Sequence, residues 1–276
     1  MASPSKPPKL PLSVILTLHP ANIDAFLSHL HRCLQTPAGI DTVLLFVGYA
    51  SRLTSSLLLS TPSHNLQTSA RAFLAKFVAD AAKLPRLNTA QTARSLRALA
   101  DMLSEFRMFT RLWSLLGLYL NLKRLTAREL SGEGAKLGAF DRAMPWLQAG
   151  SLVTLQVLEN SAYLAMKGVL PLKRETTGRA FIWSARCFAA YVGLEIGRLV
   201  VEKIRKERGE KGEKVESKEL EAWRGEWKTA FVKSLAWAPL TVHWSLEGGL
   251  VSDLAVGALA FIPGVIQISK LWKDTA

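Results

Sequence analysis

ARSLRALADMLSEFRMFTRLWSLLGLYLNL, residues 93–122, changes character within one helical pattern. Leu96, Leu99, Leu103 and Phe106 recur every three or four residues on one helix face, and Arg94, Arg97, Asp101 and Glu105 fall opposite. From Leu112 the polar face is lost, and Leu112–Leu122 carries no charge. The spacing predicts one helix over 90–125, capped by Asn88 or Thr89, that lies along a membrane and then dips into it. A soluble bundle can bury the same pattern, so the rest of the chain must decide.

Composition favours a bilayer. The chain has 276 residues, 35 Lys+Arg against 22 Asp+Glu, and 49% hydrophobic residues. Basic charge on a polar chain would point to nucleic acid; joined to this much apolar material it points to an anionic membrane surface, where each cation contributes about 1 kcal/mol. The excess sits early: residues 1–130 hold 15 basic and 6 acidic side chains. Cys33 and Cys187 are far apart and form no CxxC, which argues against a disulfide framework or a zinc site. Lys6 and Lys9 before Leu10–Leu18 imitate a secretory signal, but Pro11 interrupts the run and no small-residue cleavage site follows.

The pattern along the chain is all-α. Residues 1–19 read as a disordered tail and 20–130 as an amphipathic, membrane-binding helical region. Within it, Asn22 would cap a helix over 20–34 with Ile23, Phe26, Leu27, Leu30 and Leu34 on its apolar face. Pro37-Ala38-Gly39 would break the chain before a helix at 40–59. Residues 131–201 form a hydrophobic helical region, 202–226 a charged linker, and 227–276 a C-terminal anchoring region. One or two membrane-embedded segments are expected there. Val251–Leu271 has the length to cross, whereas Ser234–Leu246, punctuated by Pro239, is short and reads as a re-entrant or interfacial arm.

Residues 66–84 are the most clearly amphipathic stretch. Phe73, Leu74, Phe77, Val78 and Leu84 share one face and would insert into lipid, contributing up to roughly 1.5–3 kcal/mol each. Arg71, Lys76, Lys83 and Arg86 would meet lipid headgroups at about 1 kcal/mol apiece. Shallow wedging of this kind expands one leaflet and bends it.

Catalytic motifs are absent. Gly132-Glu133-Gly134-Ala135-Lys136 lacks the spacing and the following Ser/Thr of a phosphate loop. His29 and His31, two residues apart, point away from each other on a helix and cannot share a metal easily. His243, in an apolar run, reads as a hydrogen-bonded structural histidine. The expectation is a non-enzyme without metal or cofactor. Gly193 and Gly197 form a G-x-x-x-G of the kind that lets membrane helices associate. Glu195 and Arg198, three apart, would neutralise each other.

Three stretches resemble the peroxisomal biogenesis factor 11 (peroxin-11) family, in its fungal or gamma-like branch. Leu103–Leu116 (LSEFRMFTRLWSLL) is similar to that family's S-E-F-R-F-F-x-R-L-W-G-L block, through Ser104, Glu105, Phe106, Arg107, Phe109, Arg111, Leu112 and Trp113. Thr36–Asp41 with Gly48-Tyr49 and Arg52 resembles its T-x-G-R-D-K … Q-Y-x-R region, departing at Ile40, Thr42 and Gly48. Trp237–Ser245 followed by Gly248 resembles the distal end of these proteins. The resemblance implies a peroxisomal membrane protein with cytosolic termini. Such a protein elongates the membrane through an amphipathic helix, self-associates, and promotes fission with a dynamin-related GTPase and its membrane adaptor. Residues 66–84 match the remodelling helix by position. Two alternatives stand beside it: a metabolite pore or carrier lined by Glu159, Arg186, Glu195 and Arg198, and a soluble helical scaffold.

Overall fold

The computed structural model describes residues 20–60, 88–209 and 217–276, and among them every regular element is helical. The elements are α1 (Pro20–Cys33), α2 (Pro37–Ser60), α3 (Thr89–Thr110), α4 (Ser114–Leu130), α5 (Ala139–Met166), α6 (Arg174–Gly209), α7 (Ser217–Trp244) and α8 (Asp253–Asp274). Short 3-10 turns occupy Arg111–Trp113 and Gly134–Lys136. The chain divides into two compact units, Met1–Ser104 with Asp253–Ala276, and Glu105–Ser252.

The helix starts follow from local chemistry. Asn88 caps α3, its Oδ1 accepting from the Gln91 N–H at 3.2 Å. The expected break between the first two helices falls at 34–36, just ahead of residues 37–39, which open α2. Thr36 is the cap, its Oγ1 accepting from Gly39 N–H at 3.0 Å and its carbonyl from Ile40 N–H at 2.9 Å. Pro37 takes the first helical position, where a missing N–H costs nothing. For the same reason α1 begins at Pro20, ahead of the Asn22 expected to cap it.

In the first unit α2 and α8 pack antiparallel. Gly257 lies against Leu53, and Gly264 against Leu45 and Phe46; the Phe46 and Phe261 rings meet at 5.6 Å. The apolar face of α1 is only partly covered, Phe26 stacking on Trp272 at 5.5 Å. His29 and Cys33 are buried, while Ile23, Leu27 and Leu34 are exposed, because the end of α8 docks on the former.

In the second unit each helix runs antiparallel to the next. Glu129 bridges Arg142 between α4 and α5, Asp141 bridges Arg205 between α5 and α6, and the Trp223 and Trp227 indoles tie α7 to α6. The pattern at 93–122 is not one helix: the Arg111–Trp113 turn interrupts it. There the Leu112 carbonyl accepts from Asn160 Nδ2 at 3.2 Å, and Asn160 Oδ1 accepts from Gln156 at 2.6 Å. A buried amide pair on α5 thus satisfies the backbone of the break. Ser234–Leu246 is no separate arm, since α7 is one helix through Pro239, as α8 is through Pro263. Proline deletes one N–H, which a long packed helix survives.

Candidate membrane-contact site

Two helices are long and apolar enough to cross a bilayer, Pro37–Ser60 and Asp253–Asp274. At 1.5 Å per residue they reach about 36 and 33 Å, against a hydrocarbon core of about 30 Å. The second matches the expected C-terminal segment. The first lies in the region expected to be amphipathic, yet residues 37–60 carry only Asp41 and Arg52 as charges.

These helices bury a mixture of small, polar and apolar residues and leave several large apolar side chains exposed. On α2 the buried positions include Gly39, Leu45, Ser51 and Ser55, with Ser55 at 2% exposure, while Val47, Leu57 and Leu59 are exposed, Leu59 at 67%. Ser55 Oγ donates to the Ala93 carbonyl of α3 at 2.7 Å, and Gly48 meets the Leu103 side chain. On α8, Val256, Gly257, Ala260, Pro263 and Gly264 are buried while Ile262 and Val265 face out. In the second unit α7 buries Ser234, Ala236, Leu240 and Thr241 and exposes Val232, Leu235 and Val242.

Charge marks the ends of the α2–α8 pair. At one end Asp253 accepts from Arg52 at 2.6 Å and from Arg97 at 3.1 Å. At the other, His29 Nε2 donates to the Trp272 carbonyl at 3.0 Å and lies 3.1 Å from Thr275 Oγ1. The His29 and Trp272 rings stack at 3.8 Å, and Arg32 Nε donates to the Thr275 carbonyl at 2.9 Å. Burial and the nearby Arg32 push the His29 pKa down, against the bond to Trp272.

The family-like block from Ser104 to Trp113 splits into two functions. Glu105 pairs with Lys167, and Arg111 Nη1 meets Glu159 Oε1 at 3.2 Å, so its charges hold the segment to α5. Arg107 lends its carbonyl to Thr110 and Arg111. Phe106, Phe109 and Trp113 point outward, the last two meeting edge-to-face at 5.8 Å. Ser104 is exposed and Leu112 half-buried. The residues expected to insert, Phe73, Leu74, Phe77, Val78 and Leu84, lie outside the described residues, as do Arg71, Lys76, Lys83 and Arg86.

Three of the four charges considered for a pore, Glu159, Glu195 and Arg198, are in ion pairs. Arg198 holds Glu195 through two bonds of 2.9 and 2.7 Å and Glu202 at 2.8 Å; Gln148 donates to Glu195 at 2.8 Å. Arg186 sits over the Trp183 ring, 4.7 Å from its centroid. The Arg198 guanidinium holds the Glu195 carboxyl below its ordinary range, against burial, which raises it. His243 is structural as expected: its Nδ1 accepts from the Leu250 and Val251 N–H groups at 2.7 and 3.1 Å. Gly249, at φ +71°, must be glycine there, since a Cβ would strike the imidazole. Gly193 and Gly197 meet no neighbouring atoms. Among the described residues no His, Cys, Asp or Glu group is arranged for a metal.

What the sequence reading missed was the inward set Gly48, Ser51 and Ser55. Small residues at helical spacing are its signal, hidden among conspicuous leucines. The His29–Thr275 contact joins residues 246 apart and has no local signal.

No family model and no solved structure matches the chain. It is similar to an uncharacterized protein of Schizosaccharomyces pombe, 25% identical over 197 residues that cover 71% of this chain and 86% of the relative.

Proposed function

We propose that this chain is an integral protein of the peroxisomal membrane that remodels and elongates that membrane, promoting peroxisome division and controlling peroxisome size and number. The observation that carries the membrane part is the uncovered apolar face of α2, with Val47, Leu57 and Leu59 outside while Ser51 and Ser55 lie inside. In water each large apolar side chain left exposed forgoes roughly 1.5–3 kcal/mol. In lipid that penalty vanishes, and close packing with interhelical hydrogen bonds drives association instead. Only 28% of the apolar window in each spanning candidate is buried within the protein, whereas a soluble core helix would be mostly covered.

The organelle and the bending activity rest on the family resemblance at 103–116 and on the amphipathic pattern of 66–84. Phe73, Phe77 and their apolar neighbours wedge into one leaflet while Arg71, Lys76, Lys83 and Arg86 select anionic lipid. The protein self-associates and works with a dynamin-related GTPase and its adaptor; no catalysis, cofactor or nucleic acid enters. With α2 and α8 both crossing, the termini share the cytosolic face.

Full-length protein reconstituted into anionic vesicles tests the mechanism. The parent tubulates them and the Phe73→Asp, Phe77→Asp variant does not; equal tubulation overturns the assigned helix. Alkaline carbonate leaves an integral protein in the membrane pellet, and release into the supernatant overturns the spanning reading. Protease protection of 66–84 reads the topology, and imaging away from a peroxisomal marker overturns the organelle.

A further inference from the structure

The segment following Glu105 has a second face that the contacts with α5 leave uncovered. Phe106, Phe109, Trp113, Leu116 and Leu120 recur three and four residues apart, each close to half exposed or more, with Leu116 at 68%. We propose that this stripe is a second lipid-contact surface, lying in the headgroup–acyl boundary of an anionic bilayer, with Lys123 and Arg124 engaging the anionic headgroups. It rests on the membrane reading above and adds a contact outside 66–84.

Charge decides the occupant. Residues 105–128 contain one acid, Glu105, and it is already paired with Lys167; the cations are Arg107, Arg111, Lys123, Arg124 and Arg128. Lys123 and Arg124 are exposed and, among the described residues, have no acidic partner. At 100° per residue they flank the Leu116–Leu120 line by about 40° and 60° on opposite sides. A second copy laid along the same stripe would set these cations against cations, with no free acid in the segment to answer them. Anionic headgroups answer them directly, while the apolar row between enters the acyl boundary. Tryptophan and tyrosine favour that depth, and Trp113 and Tyr119 are both exposed.

The test uses the full-length chain in a Cys33→Ser, Cys187→Ser background, reconstituted into phosphatidylcholine vesicles with and without phosphatidylserine. An environment-sensitive fluorophore is placed at Leu116→Cys, Leu120→Cys or, off the stripe, Asn121→Cys. The 116 and 120 labels should shift to the blue and lose emission to brominated lipid, more so with phosphatidylserine; the 121 label should lose emission to aqueous iodide. The gain from phosphatidylserine should disappear in Lys123→Glu, Arg124→Glu, with helicity checked by circular dichroism. Stripe labels open to iodide, or shielded from both quenchers as a protein partner would shield them, overturn the proposal. A phosphatidylserine gain that survives charge reversal overturns the headgroup assignment. Carbonate extraction of the same samples separates the two readings. Retention with iodide-open stripe labels overturns the stripe alone, and release overturns the spanning reading together with it.

Discussion

Gly257 meets Leu53 so closely that a Cβ added to the glycine would stand 2.9 Å from the Leu53 Cα. Backbone, not a flexible side-chain tip, occupies the space, so the contact between α2 and α8 tolerates no larger residue. Seven residues on, a Cβ at Gly264 would lie 3.2 Å from Leu45 Cδ2, a terminal methyl that can yield. Gly257→Leu should therefore force the pair apart and destabilise it by about 1–3 kcal/mol or more. Gly150→Ala, on α5 with nothing within reach, should raise stability by about 0.4–1 kcal/mol by restricting the unfolded chain. Thermal unfolding in detergent checks both, and an unchanged midpoint for Gly257→Leu would contradict the packing.

Asp253 ties three helices at one end of that pair. It stands at the first position of α8, where a carboxylate also complements the helix N-terminus, and it accepts from Arg52 and Arg97. The Asp253 side chain is 56% exposed, so each ion pair contributes about 0.2–1 kcal/mol. Asp253→Asn should lower stability by roughly that amount per pair lost, and Arg52→Asp with Asp253→Arg should recover part of the Arg52 contribution. A double-mutant cycle without coupling would show the contact to be passive.

Helices declare themselves through spacing and caps, so the all-α class, the Asn88 cap, the structural His243 and the C-terminal apolar helix were legible in the residues themselves. Two kinds of information were not. The first was orientation: the apolar spacing of α1 and α2 does not say which residues face protein, and His29, Cys33, Ser51 and Ser55 are buried beside Leu45 while Leu27, Leu57 and Leu59 are exposed. Periodicity locates an apolar stripe; whether it meets protein or lipid depends on the solvent. The second was distance along the chain. Arg52 with Asp253, and His29 with Thr275, become neighbours only once α8 returns to α2. Pro37 and Pro239 misled for a simpler reason. Proline stops a helix only where its missing N–H is needed and unsatisfied.

Arg198 organises the second unit by pairing Glu195 and Glu202, and Glu202 also accepts from the Trp223 indole at 2.9 Å. Arg198→Gln should cost about 1–3 kcal/mol, the worth of charged hydrogen bonds reduced by partial exposure. The pH dependence has a definite sign. The Glu195 carboxyl is held below its ordinary value of 4.5 by the Arg198 guanidinium. Its contribution is therefore full above 4.5 and is lost as pH falls through the depressed folded value. Unfolding midpoints of parent and variant should converge on acidification. If they stay parallel down to denaturing acid, the pairing does not carry the stability.

His29 should make the C-terminal latch acid-sensitive. It is neutral when docked, because burial and the neighbouring Arg32 both oppose a positive charge and so set its pKa below 6.5. As pH falls below 6.5 the undocked chain takes up a proton before the docked one does. The latch is at full strength above 6.5 and weakens as pH drops through the folded value. Protection of residues 271–276 against hydrogen exchange, corrected for intrinsic rates, should fall between pH 7.5 and pH 5. In His29→Phe the stack on Trp272 can remain while the bonds to Trp272 and Thr275 cannot. That variant should show weaker protection at neutral pH and little further loss on acidification. Equal acid sensitivity in parent and variant would move the titrating group elsewhere and sink the assignment.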